Sequence, residues 1–265
     1  MEPKGIAVVT GASRGIGRAV AIELAVRGFD TVATMRNPAD GADLADRPRL
    51  RVERLDVTDP STIALPDGLR VLVNNAGVES ENLPLEFTPA DAWVRMFATN
   101  VFGLAAVTGA AVPIMRAAGG GVICNVTSSS TLAPVPFLGT YRASKAAVTA
   151  LGESLAAEVA QFGIRVVEIM PGPIETEMLA ASDKPAAAIE HEEYRALAER
   201  MWEGRQGVRS AYTQADEAAR RIVDAICADD GPLRSGCDDL SEGMLTGWNA
   251  TDNAQWVRGM LRSFS

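Results

Sequence analysis

Tyr141 and Lys145 stand four residues apart in GTYRASKAAV, a stretch otherwise made of small residues with helical character. Positions four apart share one face of a helix, so the phenol and the ammonium point the same way. A tyrosine with a reference pKa of about 10 is only about a thousandth ionised at neutral pH, which makes it a poor base unless its phenolate is stabilised. A neighbouring ammonium can supply that stabilisation, and with Lys145 and a cationic nicotinamide ring beside it the Tyr141 hydroxyl is expected below its ordinary range. The pair is suited to taking a proton from an alcohol or giving one to a carbonyl oxygen. The run Thr127, Ser128, Ser129 and Ser130 lies shortly before it. A one-residue slip in a strand there would reverse which hydroxyl faces the pair, and strand-end hydrogen bonding is the plainer use of such a run.

A second constellation sits near the start of the chain. The segment TGASRGIG, Thr10 to Gly17, follows a short apolar strand and leads into a helical pattern. Gly11, Gly15 and Gly17 permit a tight turn and let backbone N–H groups and the helix N-terminus approach a pyrophosphate. Connections of this type also use glycine for packing alone. The second strand ends in TMRN, where a site for NAD would usually place an acidic residue against the ribose hydroxyls. Arg36 stands there instead, and its planar fork suits a phosphate, with Arg14 of the glycine turn as a second cation. This favours NADP(H) over NAD(H). The plainer reading leaves both arginines as solvated surface residues.

The elements that must position these groups are short apolar strands alternating with helical patterns: GIAVV, TVATM, LRVERLDV, RVLVNNAG, GVICNVTS and RVVEIMPG. Such βα repetition predicts an α/β fold, a single-domain, doubly wound parallel sheet of Rossmann-like type spanning residues 1–265. Between Asp59 and Gly68 there is room for only one or two helical turns, so one crossover is short. Ala90 to Met115 and Tyr141 to Phe162 read as long, largely apolar helices. Residues 174–215, which begin with Pro/Gly turn signals and pass through small residues into a helix, form a candidate lid. Residues 232–265 form a variable C-terminal region. Within it Trp256, Val257, Met260, Leu261 and Phe264 make a helical stripe expected in the core or a dimer contact, with Asp252 and Gln255 spaced as at a helix start.

Composition narrows the partners. The 265 residues are 47% hydrophobic and 22% charged, enough for a sizeable core. The net charge of −9, with no basic run, excludes the usual footprint of a nucleic-acid or anionic-membrane binder. No run approaches membrane-spanning length and no signal-peptide core is seen, so no membrane insertion and a cytoplasmic location are expected. Cys124, Cys227 and Cys237 are odd in number and widely spaced, which suits idle or buried thiols. The single histidine, His191, flanked by charges in IEHEEY, is expected to be a solvated helix residue. No metal site is expected.

With TGASRGIG, LDV at Leu55 to Val57, NNAG at Asn74 to Gly77, Asn100 in TNVFG, Ser128 in NVTSSS, YRASK and PGPIET all in order, the chain resembles the short-chain dehydrogenases/reductases. The resemblance runs from about Thr10 to Thr176. It implies Tyr141 as general acid/base, Lys145 as its electrostatic partner and ribose ligand, Ser128 as the hydroxyl that orients the carbonyl, and Asn100 as support for a water-linked proton path. Spacing in the family, thirteen residues before Tyr141, is what selects Ser128 from its run. The resemblance also places Asp56 and Val57 at the adenine, Asn74, Ala76 and Gly77 along the nucleotide cleft, and Ile174 and Thr176 at the nicotinamide carboxamide, with Pro171 and Gly172 beside them and Ser13 and Ile16 in the glycine turn. The implied activity interconverts a ketone or aldehyde and an alcohol by hydride transfer with NADP(H). A hydrophobic small-molecule substrate is expected, with Phe137, Leu138, Met178, Leu179 and Trp202 as candidate pocket residues. A homodimer or homotetramer is the implied assembly. The competing reading is a non-catalytic NADP(H)-sensing regulatory protein of the same fold. GPLRSGCDDLSEGMLTGW lacks the glycine-ended apolar strand of bacterial 3-ketoacyl carrier-protein reductases, which argues against a role in fatty-acid synthesis.

Overall fold

Period-2 alternation of small aliphatic residues decides the sheet. In β1 (Ile6–Val9), Ala7 and Val9 pack into one core while Val8 packs into the other, so the strand is buried on both faces. The same division recurs in β4 (Leu69–Asn74), where Val71 and Val73 face one side and Leu72 the opposite one. The computed structural model describes residues 1–262 except 80, 182 and 183.

Among the described residues, β1, β2 (Asp30–Met35), β3 (Leu50–Arg54), β4, β5 (Gly121–Val126) and β6 (Ile164–Ile169) pair in parallel in the order β3-β2-β1-β4-β5-β6. The order reverses between β1 and β4, the switch point at which open α/β sheets bind ligands beyond their carboxyl ends. Helix α1 (Gly15–Arg27) covers one face, its Val20 and Leu24 packing with Phe29. The β3–β4 crossover is a single short turn, Pro60–Thr62, as its length predicts.

The opposite face is covered by α2 (Ala90–Phe97), a π-helical turn at Ala98–Gly103 and α3 (Leu104–Ala117), followed by α4 (Gly139–Val159). Together Ala90–Ala117 make 28 helical residues, long and apolar enough to cross a membrane by length and composition, contrary to the expectation that no run reaches that size. Val107, Ala111 and Met115 are fully buried in the core shared with Leu72 and Ile123, which makes it a core helix.

The segment 174–215 is an excursion closed at its base by a second small sheet. Its first strand, β7 (Ile174–Glu175), pairs in parallel with β8 (Thr213–Gln214), and between them lie α5 (Glu177–Ala181) and α6 (Arg195–Gly207). The excursion docks on the loop after β4. His191 stacks on Phe87 with ring centroids 3.9 Å apart, and the Ala188 N–H donates to the Asn82 carbonyl at 3.1 Å. His191 thus sits beyond a short helical turn, partly buried against an aromatic ring, rather than on a solvated helix.

Helix α7 (Ala215–Cys227) returns to pack against α1, burying Ile222 and Ile226. The segment after α7 holds no apolar strand, in keeping with its sequence, but it does hold a short polar one. β9 (Arg234–Ser235) adds a seventh strand beside β6, with Gly236 after it. It escapes an apolar pattern because Arg234 donates from Nε to the buried Glu168 at 2.9 Å, a polar pairing where an aliphatic residue was the expected signal. The chain ends in α8 (Asp239–Ala250) and α9 (Asn253–Leu261). Asp252 caps α9 through the N–H groups of Ala254 and Gln255. The stripe is not core, since no residue of α9 is buried, although Trp256 Nε1 donates to the Leu132 carbonyl at 2.6 Å. Phe264 lies outside the described residues. Cys124 and Cys237 are buried and Cys227 is half-buried; burial pushes the Cys124 thiol up to about 12.

Candidate active site

A cleft of about 780 Å³ opens over the carboxyl ends of the strands, and both constellations lie on its wall. At the nucleotide end Gly11, Ser13, Arg14, Gly15 and Ile16 line it beside Arg36, Asp56 and Val57. Gly11 adopts φ +65°, and a Cβ there would lie 2.8 Å from the Ala76 Cα. The turn therefore needs glycine twice over, for its conformation and for its contact with the next loop. Helix α1 then starts at Gly15 with no side chain capping it and no acidic residue in its first turn, leaving its N–H groups and partial positive charge to an anion. Gly17 has another job. A Cβ there would meet Asn75 Nδ2 at 2.2 Å and the Gly11 carbonyl at 2.5 Å, so it lies behind the turn and off the cleft wall.

The glycine turn is tied to the NNAG loop through Asn75, not Asn74. Asn75 Nδ2 donates to the carbonyls of Thr10 and Gly11 at 3.0 and 3.1 Å, and the Thr10 hydroxyl accepts from the N–H groups of Asn75 and Ala76. Asn74 ends β4 facing the core. It is buried, donates to Thr108 and Asn125 at 2.9 Å each, and does not line the cleft. Neighbouring asparagines in a strand end point to opposite faces, and that alternation separates their roles. Ala76 and Gly77 do line the cleft.

Burial pushes the Asp56 carboxyl up, but hydrogen bonds from the Thr58 N–H and hydroxyl and the charge of Arg36 outweigh it, so the group sits below its ordinary value. Arg14 and Arg36 are both exposed at the cleft wall. Open N–H groups, a glycine cradle and two guanidinium groups at one end of the cleft fit a dinucleotide phosphate.

At the other end the order of the serine run is decided by the strand. All four residues from Thr127 to Ser130 line the cleft, the Thr127 hydroxyl donating to Glu168 at 2.9 Å, while Ser128 is the one that interacts with the Tyr141 hydroxyl. Ser129 is buried, its N–H donating to the Pro171 carbonyl. Lys145 is only 6% exposed; its Nζ donates to the Val126 carbonyl at 2.9 Å and lies 5.7 Å from the centre of the Tyr141 ring. Pro171, Gly172, Ile174 and Thr176 complete this wall, with Gly172 held by its N–H donating 2.7 Å to the buried Asp238.

Without a cationic nicotinamide ring, Lys145 by itself does not depress the tyrosine. Burial pushes the Tyr141 hydroxyl well above its ordinary value and the charge of Glu79 adds to the rise, while only the hydrogen bond with Ser128 opposes it. The lysine is itself dehydrated. Burial brings Lys145 down to about 8, against the opposing charges of Glu79 and Glu168. In the protein alone, burial favours the protonated form of the Tyr141 hydroxyl.

Asn100 is 1% exposed and does not line the cleft. Its Oδ1 accepts from the Val78 N–H at 2.9 Å, and Nδ2 donates to the Val78 carbonyl at 3.1 Å and to Ser144 Oγ at 3.0 Å. Ser144 in turn donates to the Tyr141 carbonyl at 2.7 Å. The π-helical turn around Asn100 makes this possible by displacing one residue from the regular ladder. Asn100→Ala leaves the Val78 groups without partners, an expected loss of about 2 kcal/mol, seen as a fall in thermal midpoint of about 2–4 °C per kcal/mol. A melt indistinguishable from the native protein would show that the clamp is dispensable.

The apolar part of the wall comes from Val135, Leu138, Met178, Leu179, Met201 and Met244. Phe137 and Trp202 are not on it, and Phe137 instead meets Tyr194 edge-on at 5.9 Å. Charged residues share the space: Glu79, Arg200 and Arg205. Asn75, Glu79 and Asp238 also belong to this region, though the sequence motifs do not mark them. Only Asp238 carries a local signal, since it precedes a helix and accepts from the N–H of Ser241, three residues on.

A doubly wound parallel sheet with a phosphate cradle at one end of its cleft and a Tyr–Lys pair at the other defines a dinucleotide-binding oxidoreductase of the α/β class. Residues 5–187 match the sequence profile described as short chain dehydrogenase, and the chain belongs to that family. A cis-4-hydroxycyclohexanecarboxylate dehydrogenase of Sinomonas cyclohexanicum is 35% identical over 240 residues, covering 85% of this chain and 95% of that one. A short chain dehydrogenase from Burkholderia cenocepacia in complex with NADP superposes with a TM-score of 0.80 at 26% identity, covering 98% of this chain and 99% of the other. One from Burkholderia phymatum in complex with NAD gives 0.77 at 25% identity, covering 94% and 93%. This protein is thus an oxidoreductase of a family that uses a nicotinamide cofactor on small molecules.

Proposed function

We propose that the protein is an NADP(H)-dependent oxidoreductase that interconverts a ketone or aldehyde and the corresponding alcohol, with Tyr141 as general acid/base. The observation that carries the reading is the meeting of Ser128, Tyr141 and Lys145 on the wall of the same cleft as the glycine cradle. Bound NADPH supplies the hydride. Ser128 and Tyr141 hold the carbonyl oxygen, Tyr141 donates its proton to that oxygen as the alcohol forms, and Lys145 offsets the phenolate charge left behind. The reverse direction starts from that phenolate, which the chain by itself disfavours.

Arg14 and Arg36 support NADP(H), because the end of β2 lacks a carboxylate that would repel a 2′-phosphate. Relatives of known structure carry either cofactor, so this preference rests on the two arginines. Asn100 acts as the clamp of the Val78 segment, and residues 174–215 act as the substrate lid, since Met178, Leu179 and Met201 wall the cleft. Those side chains favour a substrate with an apolar body. Val94 and Phe102, both exposed on the Ala90–Ala117 helix, support the dimer or tetramer, and the acidic chain operates in the cytoplasm. NADPH consumption measured against a chemically diverse set of ketones and aldehydes tests the reading: turnover of a subset is expected, and tight NADPH binding with no turnover of any would favour a sensor instead.

A further inference from the structure

The face of β6 that lies against α4 begins as an aliphatic row and ends in a carboxylate. Ile164 and Val166 pack there with Leu155, Ala156 and Val159 of α4, and Glu168 takes the next position of the same face. Glu168 is only 4% exposed, and a carboxylate that deep is tolerated only when donors replace its water. Three donors converge on it from three elements. The Thr127 hydroxyl, just past β5, reaches Oε1 at 2.9 Å and shares its proton with the Ile169 carbonyl. The Thr149 hydroxyl of α4 donates to the same Oε1. Arg234 of β9 donates from Nε to Oε2 at 2.9 Å and pairs through its other arm with Glu153 of α4.

The two threonines are tied by the chain to the reacting groups. Thr127 lies between Ser128 and Val126, whose carbonyl accepts from Lys145 Nζ at 2.9 Å. Thr149 lies one turn beyond Lys145 on the same helix, so the two residues move together. The contacts close a ring, from Lys145 to Val126 and Thr127, through Glu168 to Thr149, and back along one turn of α4 to Lys145. An aliphatic side chain in place of Glu168 would pack against the helix without fixing where it sits along the strand, whereas directional hydrogen bonds do fix it. Neither Glu168 nor Thr149 is among the described residues that line the cleft, so neither acts by contact with a ligand held there. We propose that Glu168 is a positioning residue for the oxidoreductase reaction, holding the Ser128 strand end and the Lys145 helix in fixed register through Thr127 and Thr149. The inference rests on the oxidoreductase reading above and adds to it a residue that acts through others.

The test uses the full-length protein, NADPH and a carbonyl compound that the native protein reduces, with kcat and KM measured well below the thermal midpoint of each variant. Thr149→Val keeps the shape of the side chain and removes the hydroxyl. It is expected to lower kcat about 10-fold while KM for the carbonyl compound stays within about twofold of native, because misplacing a reacting group costs rate rather than binding contact. Thr149→Ser, which keeps the hydroxyl, is expected to retain most of the rate. Glu168→Leu is expected to lower kcat about 10- to 100-fold, and Thr149→Val added to it to cost little more, because the acceptor is already gone. Should Glu168→Leu fail to fold, the two Thr149 variants decide the matter alone. A native kcat in Thr149→Val, equal losses in the valine and serine variants, a loss confined to KM, or a full further loss in the Glu168→Leu background overturns the inference and leaves the oxidoreductase reading intact. A native protein that reduces no member of a broad set of ketones and aldehydes overturns both.

Discussion

Replacing Tyr141 by phenylalanine is expected to lower kcat for carbonyl reduction by about 10²- to 10⁴-fold, the usual worth of a positioned general acid, while leaving NADPH affinity nearly unchanged. The ring stays and only the hydroxyl is lost, so packing within α4 is preserved. Single-turnover NADPH oxidation, with cofactor binding measured separately, checks the result. An undiminished rate would remove Tyr141 from the acid role. The pH dependence has a definite sign. Lys145, brought down to about 8 by burial, is mostly protonated at pH 7 and loses its charge as the pH rises through that value. Once neutral it no longer offsets the developing phenolate, so reduction is expected to slow above pH 8. A rate that climbs through the same range would show that the ammonium is not needed.

Arg36→Asp is expected to weaken NADPH binding by about 100-fold or more and to change NADH binding by only a few fold. A bidentate guanidinium–phosphate contact is worth roughly 1.5–3 kcal/mol, and an aspartate in its place adds repulsion against a 2′-phosphate. The same carboxylate can accept from a ribose hydroxyl, which cushions NADH. Titration of both cofactors by fluorescence decides the matter. Equal losses for the two would contradict a 2′-phosphate contact at Arg36. Arg18, paired with Asp43 on the outer side of α1, serves as an internal comparison, because its removal should not separate the two cofactors.

The C-terminal region shows how far a site can depend on residues distant in sequence. Asp238 reaches back to the Gly172 N–H at 2.7 Å, and a Cβ on Gly172 would lie 2.5 Å from that same carboxylate. Arg234 bonds Glu168 beneath Thr127, the residue before Ser128. Both contacts tie the end of the chain to the cleft wall that carries Ser128 and Gly172. Neither has a local pattern by which to find it, since each is made between residues 66 apart.

What the sequence determined by itself was whatever depends on local periodicity and spacing. The βα alternation fixes a doubly wound sheet because each strand buries both faces, and the four-residue step from Tyr141 to Lys145 puts two side chains on one face of any helix. The glycine turn, the short β3–β4 crossover and the family membership were legible for the same reason. Tertiary structure decided what depends on depth and on neighbours from elsewhere in the chain. It sent Asn74 to the core and Asn75 to the glycine turn, took Gly17, Asn100, Phe137 and Trp202 off the cleft wall, and put Glu79 on the wall of the cleft that Tyr141 and Lys145 line. It also shows that, without the cofactor ring, Lys145 does not bring Tyr141 down. Spacing reports that an ammonium is near, but only the packed protein shows that tyrosine and lysine are dehydrated together, and dehydration penalises the charged form of each.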